Sequence, residues 1–77
     1  MTRDQLLSNL RAMRKDAWKL AAKAHADQVG WLIANADMDF QEAAEFAVET
    51  PNPTHAAARL AVETLDAAIT ALGKVAR

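Results

Sequence analysis

The chain has 77 residues, a formal net charge of −1 and no cysteine. This length holds at most one small domain, which we expect to span residues 1–77, and the lack of cysteine excludes disulfide bonds and cysteine-rich zinc sites. The hydrophobic fraction of 52% is rich in alanine, which favours helix but buries little area, so we expect additional burial against a second chain.

The charge is unevenly distributed along the sequence. Residues 1–36 carry six basic and three acidic side chains, residues 37–50 carry five acidic side chains and no base, and residues 51–77 carry three basic and two acidic ones. Charged residues follow the first methionine at once, and no apolar stretch reaches the ~18 residues that a membrane span requires. We therefore expect a soluble, cytoplasmic protein with an acidic middle segment and no membrane contact.

The first part of the chain predicts one long helix. Thr2 and Gln5 have the spacing of a capping box, and apolar residues then recur every three or four positions, as on a helix that packs against another helix. Gly30 can end such a helix or be tolerated inside it; we favour continuation to about Asn35 because Trp31 prolongs the apolar row. The predicted seam consists of Leu6, Leu10, Met13, Ala17, Leu20, Ala24 and Trp31.

A short acidic helix is predicted next, with Asp39 as its N-cap and Glu42 near the positive end of its dipole. The segment from Thr50 to Pro53 stops it, because a residue that precedes proline avoids the helical conformation. Its predicted inner face comprises Phe40, Ala43, Ala44, Ala47 and Val48, and its outer stripe comprises Glu42, Glu45 and Glu49.

The third helix is predicted to begin at the Asn52 cap, with Pro53 in its first turn, and to run to about Leu72. The two long helices are then expected to pack antiparallel through alanine-rich seams. The predicted fold is all-α: an antiparallel hairpin of two long helices with a short acidic helix between them, which dimerises into a bundle. The seam of the third helix comprises Ala58, Val62, Leu65, Ile69, Leu72 and Ala76.

Trp18 marks one candidate partner-binding surface. It lies about 120° around the first helix from the centre of the seam, on the side that also carries Leu7, Arg11, Arg14 and His25. Tryptophan and arginine are enriched at interface hot spots, which favours a surface for binding another protein. Burial of this face against the short helix or a sister subunit is the alternative interpretation.

Two charged rows offer further surfaces. The acidic stripe can engage a basic partner, and it disfavours recognition of DNA by the short helix. The basic ridge on the first helix can meet phosphate, but Asp16 and Asp27 dilute it, so nucleic acid is the less favoured partner. Both rows are also typical of solvated helix faces. The stripe comprises Asp37, Asp39, Glu42, Glu45 and Glu49, and the ridge comprises Arg11, Lys15, Lys19 and Lys23.

The sequence contains no arrangement typical of catalysis or metal binding. It has neither a nucleophile motif nor a glycine-rich phosphate loop. His25 and His55 lack a second ligand at helical spacing, and Asp37-Met38-Asp39 is not followed by the glycine and glutamate of a calcium loop. We expect no enzyme activity, no cofactor and no metal, and we expect His55 to be exposed in the first turn of its helix.

The opening of the chain carries a resemblance, through Leu6-Leu7, Asn9-Leu10-Arg11 and then Trp18. Residues 2–20 resemble the start of small phage-encoded helical proteins that disable bacterial regulators, such as quorum-sensing anti-activators. The size and the lack of cysteine also suit anti-CRISPR proteins. The resemblance covers about a quarter of the chain. It implies a short dimeric helical protein that occupies a surface of a host protein in the bacterial cytoplasm.

These observations favour a small non-enzymatic protein-binding module, an inhibitor of phage type that occupies a surface of a bacterial regulator or defence complex and forms a homodimer. One alternative is a self-assembling structural bundle. A second alternative is a nucleic-acid binder that uses the basic ridge. The expected partner-binding residues are Leu7, Arg11, Arg14, Trp18, His25, Asp39, Glu42, Glu45 and Glu49.

Overall fold

A computed structural model describes residues 2–75, which form three α-helices and no strand. Helix α1 spans Arg3–Asn35, α2 spans Phe40–Glu49 and α3 spans Pro53–Gly73. The predicted all-α fold, with a short helix between two long ones, is confirmed. The last position of the predicted third seam, Ala76, lies outside the described residues.

Each helix begins where the capping residues predict. The Thr2 hydroxyl accepts a hydrogen bond from the Gln5 backbone N–H at 3.1 Å, and the Gln5 side chain accepts one from the Thr2 N–H at 2.8 Å. The Asp39 carboxylate accepts from the Glu42 N–H at 2.8 Å. These bonds satisfy backbone donors that have no partner inside the first turn of a helix, which is why the helices start at these residues.

Helix α1 continues through Gly30 to Asn35, as predicted. The chain then reverses through Asp37, which has a φ of 56°. This is the left-handed conformation, which aspartate tolerates better than most residues because its short polar side chain can hydrogen-bond locally. The tight reversal brings α2 back alongside the end of α1.

Helices α2 and α3 together form the returning arm of the hairpin. Both pack against α1, and within residues 2–75 they do not pack against each other. The molecule measures 56 × 17 × 17 Å, and the 33 residues of α1 account for about 50 Å of that length. The hairpin is therefore two helices thick along most of its axis.

Asn52 fixes the point where the returning arm is interrupted. Its side-chain oxygen caps α3 by accepting from the His55 N–H at 2.7 Å, and its Nδ2 donates to the Ala24 carbonyl at 3.1 Å. Its backbone N–H donates to Gln28 Oε1 at 2.9 Å, and Gln28 Nε2 donates to the Thr50 carbonyl at 2.9 Å. The three bonds to Ala24 and Gln28 clamp the α2–α3 connection onto the side of α1.

The interior of the hairpin is built mainly from small side chains. Within residues 2–75, only alanines fall below 2% exposure. Between α1 and α2 the core consists of Val29 and Leu32 against Ala43 and Ala47. Between α1 and α3 the buried apolar residues are Leu7, Ala21, Ala24, Ala58 and Val62.

The predicted seam of α3 is confirmed over the described residues, since every member from Ala58 to Leu72 is buried or half-buried. The predicted seam of α1 is partly wrong. Leu6, Met13, Leu20 and Trp31 are exposed, and the buried face is rotated by about 70° around the helix axis. The reason is close packing. The two helices approach most closely at Ala21 and Ala24, so these four larger side chains lie beside the contact line.

The predicted inner face of α2 is also partly wrong. Ala43 and Ala47 are fully buried and Ala44 is half-buried, but Phe40 is 72% exposed and Val48 is 61% exposed. Helix α2 has α1 as its single packed neighbour among the described elements, so one line of residues is buried and the flanking side chains stay open.

Replacing Asn52 with alanine is expected to lower the free energy of unfolding by about 1–2 kcal/mol, because the cap of α3 and the bond to Ala24 are both lost. For a domain of this size, the melting temperature then falls by about 4–8 °C per kcal/mol. The matched control is Asn35→Ala, whose exposed side chain donates to the Trp31 carbonyl in its own helix. Circular dichroism measures the melting temperature of both variants. Equal melting temperatures contradict a stabilising role for the hydrogen bonds of Asn52.

Candidate protein-binding surfaces

An open apolar groove runs between α1 and α3 along one flank of the hairpin. It has two lobes, and within the described residues neither lobe is lined by a charged side chain. Beyond Leu20 the groove ends in a polar hollow that includes Lys23, Asp27 and Asn52. The first lobe is lined by Leu6, Leu10, Ala68, Ala71, Leu72 and Val75, and the second by Ala17, Leu20, Pro53, Thr54, Ala57, Ala58 and Ala61.

The two sides of this apolar groove differ in the size of their side chains. On the α1 side, Leu6, Met13 and Leu20 form an exposed row at seven-residue intervals. We call this apolar row the ridge, as distinct from the basic ridge of the same helix. On the α3 side the residues are mostly alanines, which we call the shelf. The shelf consists of Ala57, Ala61, Ala68 and Ala71.

The shelf belongs to a second heptad-type seam on α3 that the sequence analysis missed. Its members follow the same alternation of four and three positions as the buried seam, displaced by one residue. A helix with two adjacent seams of this kind is typical of a bundle in which it has two neighbours. The alternation was visible in the sequence, but it is composed of small residues that also count as generic helix formers. The second seam comprises Ala57, Ala61, Thr64, Ala68, Ala71 and Val75.

The Trp18 surface lies on the other flank of α1, about 140° around the helix from the ridge. Trp18 is 50% exposed and Arg11 is exposed. Two other residues expected at this surface have roles within the fold: Leu7 is buried between the helices, and Arg14 Nη1 pairs with Asp66 Oδ1 of α3 at 2.8 Å. The pair is partly exposed and therefore stabilises the hairpin only modestly. The open part of this surface is Arg11 and Trp18.

His25 and His55 meet between the two long helices on the Trp18 side. Their ring centroids are 5.5 Å apart in an edge-to-face arrangement. The expectation that His55 is exposed is wrong, because the Asn52 clamp holds the first turn of α3 against α1 and leaves the imidazole 7% exposed. Burial, followed by the nearby His25 and Arg59, lowers the pKa of His55 from its usual value of 6.5. Its Nδ1 is buried and has no hydrogen-bond partner among residues 2–75.

The acidic stripe lies on α2 and on the turn that precedes it, away from Trp18. Asp39 is used as the helix cap, and the Glu45 carboxylate accepts from Gln41 Nε2 at 3.2 Å. Glu42 and Glu49 are exposed. The core between α1 and α2 lies at Val29 and Leu32, which are about 16 and 21 Å beyond Trp18 along the helix, so the acidic stripe and the Trp18 surface lie on different parts of the hairpin. The predicted binding residues therefore form two regions.

The four residues of the basic ridge are all exposed on α1. In the part of the chain that the structure describes, no three His, Asp or Glu side chains come together as a metal site would require. None of the described helices is both long enough and apolar enough to cross a bilayer.

Comparison with known proteins adds no relative. No protein-family model matches the sequence, and neither a curated protein nor a solved structure matches the chain.

Lowering the pH from about 7 to 5.5 is expected to reduce the free energy of unfolding. The folded-state pKa of His55 is depressed, so the unfolded chain takes up a proton near pH 6.5 that the folded chain does not yet bind. Stability is therefore retained above pH 6.5 and is lost as the pH falls towards the folded-state pKa. Denaturant unfolding at several pH values and one protein concentration measures this effect.

Two substitutions identify the group responsible. His55→Gln removes the buried imidazole and should flatten the dependence of stability on pH in this range. His25→Gln leaves the burial of His55, the largest cause of its lowered pKa, in place, so the dependence should keep its direction. Wild-type stability that is flat or rises on acidification contradicts this assignment.

Proposed function

We propose that this protein is a non-enzymatic, helical protein-binding module that acts by packing the apolar groove against another polypeptide chain. The observation that carries this proposal is the absence of any charged side chain from the lining of both lobes, within residues 2–75, although a quarter of the sequence is charged. Contiguous apolar surface rimmed by polar residues is characteristic of interaction sites.

The energetics favour occupation of the groove. Leu6 and Leu20 are 38% and 50% exposed, and Met13 between them is 55% exposed. Full burial of a large apolar side chain contributes about 1.5–3 kcal/mol relative to full exposure, so covering these half-exposed residues contributes a substantial part of that for each one. A partner that covers the whole groove therefore gains several favourable contacts at once.

The shape of the groove favours a helix as its occupant. Two antiparallel helices leave a long channel between their side chains, and the alanines on α3 let another helix approach closely. Amphipathic helices that place one apolar face in such a channel are a common mode of protein recognition. The partner element is therefore the apolar face of a helix or of a helical hairpin.

The narrower role implied by the resemblance, a phage-type inhibitor of a bacterial host protein, rests on the sequence and needs a surface for the host protein. Trp18 with Arg11 supplies one, since a large half-exposed aromatic residue beside arginine has the composition of an interface hot spot. The acidic stripe on α2 supplies a second surface that suits a basic partner. Both lie away from the apolar groove.

The substitution Ala61→Glu is expected to abolish protein binding through the groove, because it places an unpaired carboxylate in an apolar contact. Ala61 is exposed, so the fold should persist. The matched control is Ala56→Glu on the outer face of the same helix, where Arg59 can pair with the new carboxylate. Capture of proteins by the tagged wild type and by both variants, with circular dichroism of each, measures the effect.

Capture of protein by Ala61→Glu at the wild-type level, together with a wild type that is monomeric, contradicts the assignment of the groove as the binding element. Nuclease treatment of the same samples tests the nucleic-acid alternative, since loss of all captured material on digestion favours the basic ridge instead.

Trp18→Ala is expected to weaken binding of a bacterial host protein by about 10-fold or more, the magnitude of one hot-spot residue, while helicity stays near that of the wild type. Trp31→Ala is the control, since Trp31 is 62% exposed on the opposite flank of α1. Titration calorimetry measures the affinity of both variants for the host protein. Equal affinities contradict a role for Trp18 in binding that protein.

A further inference from the structure

We infer that the occupant of the apolar groove is a second copy of this chain, seated face to face so that two hairpins complete a four-helix bundle. This inference rests on the proposed function, because it names the partner of the same groove. It is supported by the exposed area, by the complementarity of the ridge and shelf, by the doubled seam on α3 and by the charge of the face.

The exposed area of the single chain is too large for a compact protein. A compact protein of 8.4 kDa exposes about 4,600 Å², whereas this chain exposes 5537 Å². The radius of gyration is 16.3 Å, against about 11.5 Å for a compact chain of this length. The excess of about 900 Å² is close to the roughly 800 Å² that each partner buries in a stable interface.

The groove is complementary to itself. Leu6 of the ridge shares one lobe with Ala68 and Ala71 of the shelf, and Leu20 shares the other lobe with Ala57 and Ala61, so each leucine lies across from small side chains. A two-fold axis parallel to the helices places the ridge of one copy over the shelf of the other, and the reverse contact follows by symmetry. A two-fold axis across the helices instead opposes ridge to ridge and leaves the shelves uncovered.

The second seam of α3 is explained by the same arrangement. In this bundle α3 packs against α1 of its own copy through the seam that contains Ala58 and Val62. It packs against α1 of the other copy through the seam that contains Ala57 and Ala61. Each helix then has two packed neighbours, and the core gains a second layer of large apolar side chains.

The charge of the face is compatible with self-pairing. The lining of the two lobes carries no charge in the described residues, so two identical copies meet without placing like charges in contact. A partner that is recognised through electrostatic complementarity requires charged residues at the contact, and on this chain those lie on the other faces of the helices. The second copy therefore fits the groove better than an acidic or a basic partner.

Sedimentation equilibrium over a concentration series tests the inference. We expect the wild type to reach twice the chain mass of 8.4 kDa. Ala61→Glu should raise the dissociation constant of the dimer by about 100-fold or more, because two unpaired carboxylates enter one interface. Ala56→Glu should dimerise like the wild type. Circular dichroism checks that both variants remain helical.

Cross-linking tests the arrangement without placing a charge in the groove. The native chain has no cysteine, so differently tagged Leu6→Cys and Ala71→Cys chains, both altered at exposed positions of one lobe, can be mixed and treated with a short bismaleimide. We expect a mixed cross-linked dimer. Preferential cross-linking of Leu6→Cys to Leu20→Cys indicates the axis across the helices and overturns the arrangement.

Failure of this inference and failure of the proposed function give different results. A wild type that stays monomeric at all concentrations, while Ala61 remains necessary for capture of another protein, overturns the second copy and leaves the binding module intact. A monomeric wild type whose protein binding ignores Ala61→Glu overturns both.

Discussion

The structure depends on one constraint, which is that the closest contacts between the helices are made by alanines. Ala21, Ala24 and Ala58 let α1 and α3 approach closely, and Ala43 and Ala47 do the same for α2. Such contacts bring backbones together but bury little apolar area per residue. A hairpin held in this way has specific geometry and a small hydrophobic contribution to its stability.

The exposed apolar surface is a consequence of that constraint. Because small residues occupy much of the contact line, several large side chains of α1 lie to either side of it, with the ridge on one flank and Trp18 on the other. Polar contacts supply the register that the small core cannot specify: the Asn52 clamp sets where α3 begins against α1, and Arg14 meets Asp66 farther along. The hairpin is therefore well defined in position while its largest apolar residues remain available to another chain.

Local rules predicted the helices well and their mutual orientation less well. The caps at Thr2, Asp39 and Asn52 and the stop before Pro53 act through neighbouring backbone groups, so their outcome is encoded within a few residues. The rotation of the buried face of α1 depends on which residues the partner helix offers, and an apolar period identifies a stripe without showing which edge of it is buried.

The candidate sites show the same limit. Exposure of Trp18 agrees with its position away from the seam, but the burial of Leu7 and of His55 comes from tertiary contacts that spacing does not reveal. The shelf was missed because alanine at heptad positions is indistinguishable from alanine chosen for helix propensity. Only its position beside the exposed ridge shows that it lines a surface.

The most direct measurement of whether another chain covers the groove is the rate of methionine oxidation by peroxide as a function of protein concentration. Met13 lies in the ridge and is 55% exposed in the single hairpin, whereas Met38 lies half-buried at the turn between α1 and α2. We expect oxidation of Met13 to slow as the protein concentration rises, while the oxidation rate of Met38 stays constant. If the oxidation rate of Met13 does not change over the whole range of protein concentration, this result contradicts a groove covered by a second copy.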